Sequence, residues 1–583
     1  MVKIKKAINY VTVGYVTVAL LYQITWLIAP VRAFLIATGL DIVSSGLAIL
    51  GFVLLALDVA FDRLFLRNKY SGLLILLIAV LCLSSLVNLR WGVVKNAKVI
   101  VWQSVQMFVM FPLCYRMRDE LRGRFLSLVH ALSSLVAVPA VLVSLYQYCF
   151  VIHSELEIAG SVAYQGFQRG RLFGVFASIY FASLFCALLC VASAYLALRA
   201  RNAALRVLYA AESLICFVYV VLSDTRSVRV GLLVMLLVGS FFVYRSRGAL
   251  KRSVKNTALR SAVSLLLAAV TVVCGMGAIK LTSNMMKKVT VYVLREQYGI
   301  DVIVDTDDPV DTDKPADTNK PADTNKPADT KPADTNKPAD TNKPADTNKP
   351  VDTDKPVDTD KPADTDRPAD TDKLDDETTD GTQQGDDNGD RIQITDDFLD
   401  RSLENVEDIS NGRLRIWQDY LDVTLSGIVP VIFGYGPGSY MDAIKGIYPD
   451  AYIVDKIETS YPAMFEQGLI CDTHNAYLSV LVTGGVLAVI VLAVFLICCA
   501  AAVLGYLFRS KKPSGAAILL TLMLIMILVT VFFDSDMFFK CTDTSMIFWI
   551  VSGFLLVEVE RESGRRDSAT ASDGSDNDIT EQK

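Results

Sequence analysis

The stretch CDTHNAYLSVLVTGG, Cys471–Gly485, sets His474 where a polar segment turns into an apolar one, in a chain that has three histidines. A neutral imidazole in such a place can take a proton from a hydroxyl. Asp472 or Thr473 can cap the helix that begins here, which puts His474 in its first turn. The positive helix end disfavours imidazolium there and leaves the ring competent as a base. Asn475 adjoins it, and Tyr477 and Leu478 lie one turn on, on roughly the same side. The competing reading is an interfacial histidine beside an aromatic belt, and His130 and His153 fit that description.

Arginines provide the second kind of chemistry. VLSDTRSVRVGLL carries Arg226 and Arg229 ahead of an apolar run, QRGRLFG carries Arg169 and Arg171, and NGRLRIW carries Arg413 and Arg415 at a helix start. A cation near a helix N-terminus opposes the dipole, so a bound anion would compensate it. Guanidinium presents paired N–H donors that match phosphate oxygens. Taken singly, each arginine reads as a solvated or snorkelling charge. Together they suggest an electropositive cleft suited to a diphosphate.

The elements that must position these residues are membrane spans. The chain has 583 residues, 52% of them hydrophobic, with a mean hydropathy of +0.39. Its apolar residues come in blocks of about 20, the length that crosses a bilayer as a helix. The hydropathy pattern predicts twelve spans: 8–29, 42–61, 71–89, 97–115, 125–151, 173–198, 205–223, 228–244, 261–282, 476–506, 515–533 and 544–558. The basic N-terminus resembles a signal peptide, but its apolar run is longer than the usual h-region and no small-residue cleavage site follows, so it reads as a retained first span. Lys and Arg concentrate in alternate loops, for example Arg116–Arg124, Arg245–Arg260 and Arg509–Lys512, which places both termini inside and the segment 283–475 outside. Only the loop around Arg90 runs against this trend. The net charge of −6 hides a segregation of acids into one segment and gives no basic field suited to nucleic acid. The organisation expected is thus a nine-span bundle (1–282), a loop start (283–303), an insertion (304–374), a structured loop (375–475), a three-span bundle (476–558) and a disordered tail (559–583).

The insertion repeats a hexapeptide, VDTDKP or ADTNKP. Proline every sixth residue forbids a helix, and no unit has an apolar face to bury, so an extended, solvated tether is expected. Its Asp-Thr-Asp runs match the spacing of a metal-binding DxD but make poor ligands in such a tether. Beyond it, Asn411–Gly427 predicts a helix with Asn411 as N-cap and an apolar face of Leu414, Trp417, Leu421 and Leu425. The Gly-rich turn VIFGYGPGSY, containing Gly436, follows. Cys471 and Cys541 both precede spans; a disulfide between them requires spans ten and twelve to be neighbours.

These segments carry a resemblance. THNAYLSVLVTGGVLAVIVLAVFL is similar to the His-Asn-x-Tyr-Leu…Gly segment of the O-antigen ligase family, which includes O-antigen and capsule polymerases. GRLRIWQDYL…GYGPGSY is similar to its Arg…Trp helix and following glycine turn, and SDTRSVRVGLLVMLL to its arginine entry into a span. GRLFGVFASIYFASLF is a looser match, with Ser178 and Tyr180 where asparagines are usual. The resemblance implies an all-α polytopic glycosyltransferase of the C type, with one large extracytoplasmic loop, in the cytoplasmic membrane. Its donor would be a polyprenyl-diphosphate glycan and its acceptor a hydroxyl on a glycan or lipid. No metal, nucleotide or other cofactor is implied. His474, Arg413 and Arg226 would be catalytic; Arg415, Arg171, Asn475, Tyr477, Trp417 and Gly436 would bind substrate. The alternative is a carrier or flippase for lipid-linked sugars. Such proteins place ionisable groups near the midplane; here the spans are nearly uncharged, and the exceptions, Asp58 and Glu212, both lie toward cytoplasmic ends, which favours chemistry at the outer surface over transport.

Overall fold

Long apolar helices dominate this computed structural model. It describes residues 2–158, 161–168, 170–246, 256–298, 412–510, 513–535 and 537–577, all within one unit of the chain. The hexapeptide repeat, Asn411 and Arg169 lie outside the described residues.

The N-terminal helices are α1 (Val2–Thr25), α2 (Ala29–Ala37), α3 (Ile42–Phe61), α4 (Ser71–Val87), α5 (Leu89–Val105) and α6 (Asp119–Cys149). Three strands follow, β1 (His153–Ile158), β2 (Ser161–Gln168) and β3 (Arg171–Gly174), then α7 (Ile179–Arg199), α8 (Ala203–Leu222), α9 (Arg226–Ser246) and α10 (Thr257–Tyr298). The loop segment contributes α11 (Arg413–Leu425), α12 (Ile428–Phe433), α13 (Tyr440–Ile447), α14 (Tyr452–Ser460) and α15 (Pro462–Glu466). The chain ends in α16 (Ala476–Arg509), α17 (Gly515–Thr530) and α18 (Asp543–Asn577).

Among the described residues, ten helices are long and apolar enough to cross a membrane: α1, α3, α5 with its continuation to Arg116, α6 to α10, α16 and α17. The two other expected spans fall on α4, which has 17 residues, and on the first half of α18. The continuation of α5 is a π turn and then a 3-10 segment, Phe111–Arg116, opened by Pro112. Proline there removes a backbone donor and ends the regular ladder. This irregular stretch is almost wholly buried, and Gly553 of α18 lies so close to the Phe111 carbonyl that any side chain at 553 would collide with it. In lipid, small residues of this kind let helices approach closely. Phe111, Phe495 and Trp549 meet edge-on or tilted, at centroid distances of 5.7–5.9 Å.

Four expectations need correction. The fold is not all-α, because β1, β2 and β3 form an antiparallel sheet in the order β1-β2-β3. Gly166 makes this possible: it sits at φ +76° against the Ile152 carbonyl, beside the register shift between β2 and β3. The sixth span consequently begins at Ile179 rather than at 173. The loop start expected at 283 is helical through Tyr298, since no glycine or proline interrupts the sequence between Gly277 and Gly299. The tail expected to be disordered from 559 instead continues α18 through Asn577. The backbone of 559–577 contains no proline, and Arg561 reaches back to Glu558 one turn earlier, 3.7 Å away.

Arg116, counted among loop cations from the sequence, is buried. It forms an ion pair of 2.7 Å with Asp58, both side chains fully inaccessible, and donates to Asn9 at 3.0 Å. Cys471 and Cys541 are both free thiols.

Candidate functional site

The helix that follows the His-Asn segment starts at Ala476, two or three residues later than a cap at Thr473 or Asp472 would place it. Asn475, not Asp472 or Thr473, caps α16: its Oδ1 accepts from the backbone N–H groups of Tyr477 and Leu478, each at 3.0 Å. His474 therefore lies outside the helix, with φ +45°, a left-handed conformation that costs energy for a residue with a Cβ. The imidazole is partly buried and near enough to Asp472 for its charge to be felt there.

Asp472 is the residue that sequence reasoning missed. Its carboxylate accepts from Lys540 Nζ at 2.5 Å and from the Tyr440 hydroxyl at 3.4 Å. Burial pushes its pKa up, but the Lys540 ammonium and then the His474 ring outweigh that and hold it well below the usual carboxylate range. Lys540 is itself fixed. Its ammonium donates to Ser535 Oγ at 3.1 Å, and its carbonyl accepts from Gln103 and Gln106 in the α5 segment at 3.1 and 3.2 Å. The only hint in the sequence was an acid two residues before the histidine.

Tyr477 turns into the bundle. Its hydroxyl donates to the Leu528 carbonyl at 2.9 Å, and its ring meets Phe538 and Phe532 at 5.9 and 6.2 Å. Phe532 is also the edge-on partner of Trp417 at 5.6 Å. The Trp417 indole Nε1 is shielded from solvent and has no hydrogen-bond partner among the described residues. Tyr420, on the same helix, donates its hydroxyl to the Cys471 carbonyl and so ties α11 to the segment that leads into His474. Arg413 lies one turn before Trp417 on the same side of α11. It is half-buried and forms no ion pair among the described residues. Arg415, two positions on, faces the other way and stacks on the Tyr452 ring at 4.0 Å.

The apolar face read on α11 is mostly exposed, with Trp417 partly buried. Leu414, Leu421 and Leu425 are exposed, whereas Ile416, Tyr420, Val423 and Thr424 are buried. The helix has apolar residues on two sides, and periodicity finds the stronger stripe without telling a protein interior from a lipid-facing surface.

Arg171 and Arg226 belong to a second corner, between α8 and α9. Arg171 Nε donates to the Ser223 carbonyl at 3.1 Å and Nη2 to the Asp224 carbonyl at 3.4 Å, satisfying acceptors at the end of α8. Arg226 opens α9 two residues after Asp224, whose carboxylate pairs with Arg229 at 2.5 Å. Five residues after Arg226, Gly231 is in close contact with Thr530, two residues before Phe532. α9, through Gly231, and α11, through Trp417, thus both touch the Thr530–Phe532 segment.

Gly436 has a different task. The turn Gly434–Gly438 docks on α16 where that helix is broken at Gly485, φ +69°. Tyr435 N–H donates to the Val482 carbonyl at 2.8 Å and Gly436 N–H to the Thr483 carbonyl at 3.0 Å, so two backbone donors meet acceptors beside the break. Gly434 and Gly436, at φ +69° and +94°, touch the Thr483 backbone and Ser439 too closely for a side chain. Asn88 and Asn96 hold the turn from the α4–α5 side. Gly436 is buried, so it anchors the loop and presents nothing to a ligand. Among the described residues no group of three or more His, Cys, Asp or Glu could hold a metal ion. The chain matches no known protein family, no curated protein and no solved structure.

Proposed function

We propose that this protein transfers a glycan from a polyprenyl-diphosphate carrier to an acceptor hydroxyl at the outer face of the cytoplasmic membrane, in the manner of an O-antigen ligase or surface-polysaccharide polymerase. The observation that supports this reading is that Trp417 of α11, Tyr477 beside the His474–Asp472 pair, and Gly231 of the helix that Arg226 opens all touch the Thr530–Phe532 segment. In the reaction, the acceptor oxygen attacks the anomeric carbon as the bond to the diphosphate oxygen breaks, with inversion. The hydroxyl proton passes to His474, base assistance worth roughly 10²–10⁴-fold. Asp472, kept ionised by Lys540, orients the ring and stabilises its charged form. Arg413 and Arg226 take up the negative charge that develops on the leaving diphosphate. Trp417, Tyr477 and Phe532 form an apolar wall suited to a sugar face or a lipid tail. Arg171 acts through the α8–α9 turn, which it holds. The chain crosses the membrane twelve times with both termini in the cytoplasm, and the loop bearing α11 to α15 is outside.

Reconstitution with a polyprenyl-diphosphate oligosaccharide tests the reading. Glycan moved to a second molecule, with free lipid diphosphate released, is the expected result; growth on the lipid marks a polymerase, and transfer to a different acceptor a ligase. Intact donor after incubation with each acceptor would refute it.

A second reading, a carrier for lipid-linked sugars, draws on one observation. His130 and Glu212 face each other at 3.7 Å inside the bundle, and His130 borders an apolar cavity of about 340 Å³ between α1, α6, α7, α17 and α18. Movement of intact lipid-linked glycan across proteoliposomes, with no transfer, would favour it.

A further inference from the structure

The opposite end of the bundle contains a feature that glycan transfer does not use. The last turn of α9, the first turn of α10 and the last turn of α16 enclose a pocket of about 300 Å³. Arg245, Arg260 and Arg509, one from each helix, line it together with Thr257, Ser246 and Phe508. Among the described residues, no acid lines it. Arg245 and Arg260 are close enough to feel each other's charge. Among the described residues none of the three guanidinium groups is ion-paired; the Glu558 carboxylate accepts from Ser514 and pairs with Arg561 instead. The Arg260 Nε is shut off from solvent and has no hydrogen-bond partner, while its Nη2 reaches Thr257 Oγ1 at 3.4 Å. Arg245 lies over the Phe508 ring at 4.7 Å, so one wall of the pocket is apolar and the other cationic.

Three like charges gathered without a counter-ion repel one another, and the arrangement gains stability only when an anion enters. Guanidinium favours phosphate, through paired donors, over a simple halide. The sequence strengthens the bias: the neighbouring stretches 247–255, RGALKRSVK, and 510–513, SKKP, add six cations and no acid. A basic pocket between helices, at the level where apolar helix surface gives way to charge, suits an anionic lipid headgroup.

We infer that the Arg245–Arg260–Arg509 pocket binds a phosphate group, that of an anionic phospholipid whose glycerol and first methylenes lie against Phe508. The site is independent of the His474 end and does not rest on the reaction proposed there.

The full-length protein, delipidated in detergent, is offered equal amounts of phosphatidylglycerol and phosphatidylcholine and examined by native mass spectrometry. A parallel arm measures retention of radiolabelled inorganic phosphate by equilibrium dialysis. Phosphatidylglycerol is expected to be retained in preference to phosphatidylcholine, and the Arg245→Gln/Arg260→Gln variant to lose about tenfold or more of that retention. Arg245→Lys/Arg260→Lys, which keeps the charge but not the paired donors, falls between the two. Saturable retention of inorganic phosphate, lost in the same variant, also supports a phosphate site and identifies a soluble source. Equal retention of both lipids, unchanged retention in the Gln variant, or no retention of either phosphate species would overturn the inference. If the double variant fails to melt cooperatively, Arg509→Gln is scored by the same criteria.

Discussion

Asp472 illustrates what one residue contributes when its neighbours are known. Its carboxylate is held ionised by Lys540 and His474 despite burial. A carboxyl whose folded-state pKa is depressed adds stability above its unfolded pKa of about 3.9, and that stability is lost as pH falls toward the folded-state value. The parent protein should therefore lose thermal stability between about pH 4 and pH 2, and Asp472→Asn should show a flatter acid limb. Equal acid sensitivity in the two would remove this role. His474→Ala should lower transfer by roughly 10²-fold or more with unchanged protein in the membrane. Of the site, His474 was legible because a histidine before an apolar run is conspicuous. Lys540 was legible only as a loop cation, since a sequence separation of 68 from Asp472 hides their pairing. The cap was expected at Asp472 or Thr473, and Asn475 supplies it instead, since all three are cap-forming residues within one turn of each other.

Elements were easiest to read where lipid dictates them. An apolar block long enough to span must satisfy its backbone internally, so helices follow from composition. The break in α16 was not legible, because Gly484 and Gly485 sit in an apolar run with no other sign of interruption. That break is where the loop docks, and Gly485→Ala tests it. A methyl group there would collide with the Ile432 carbonyl in a backbone conformation that disfavours it. The expected cost is about 1–3 kcal/mol, read as a lowered unfolding temperature together with faster proteolysis of α11 to α15. Unaltered proteolysis would mean that the Gly434–Gly438 turn is held elsewhere. Within the bundle, Asp58→Asn leaves the Arg116 guanidinium without its counter-charge in a buried place. Loss of such a partner costs on the order of 3–5 kcal/mol, and the measurement is the fraction of protein recovered folded from membranes. The sheet β1-β2-β3 escaped the hydropathy reading because its strands are short, whereas the membrane signal on either side is strong.

At the scale of the whole molecule, the chemistry we propose lies at one end of the bundle and an arginine cluster without an ion pair among the described residues at the other, with apolar helices between. The sequence indicated the helical membrane bundle and the loop, and it did not reveal which surface of α11 meets protein, because leucine suits lipid and protein interior equally. The repeat between Val304 and Leu374 carries a proline in each unit and no apolar face in its sequence, so its deletion should leave transfer largely intact; a transfer rate that collapses on deletion would assign it a part in binding. The central claim is that His474 and Arg413 serve one reaction around a lipid diphosphate. Its most direct test is the initial rate of glycan transfer in proteoliposomes loaded with a polyprenyl-diphosphate donor, compared among the parent, His474→Ala and Arg413→Ala at equal incorporation. The account predicts transfer by the parent and a fall of about 10²-fold or more in both variants; transfer at the parental rate in either variant would contradict it.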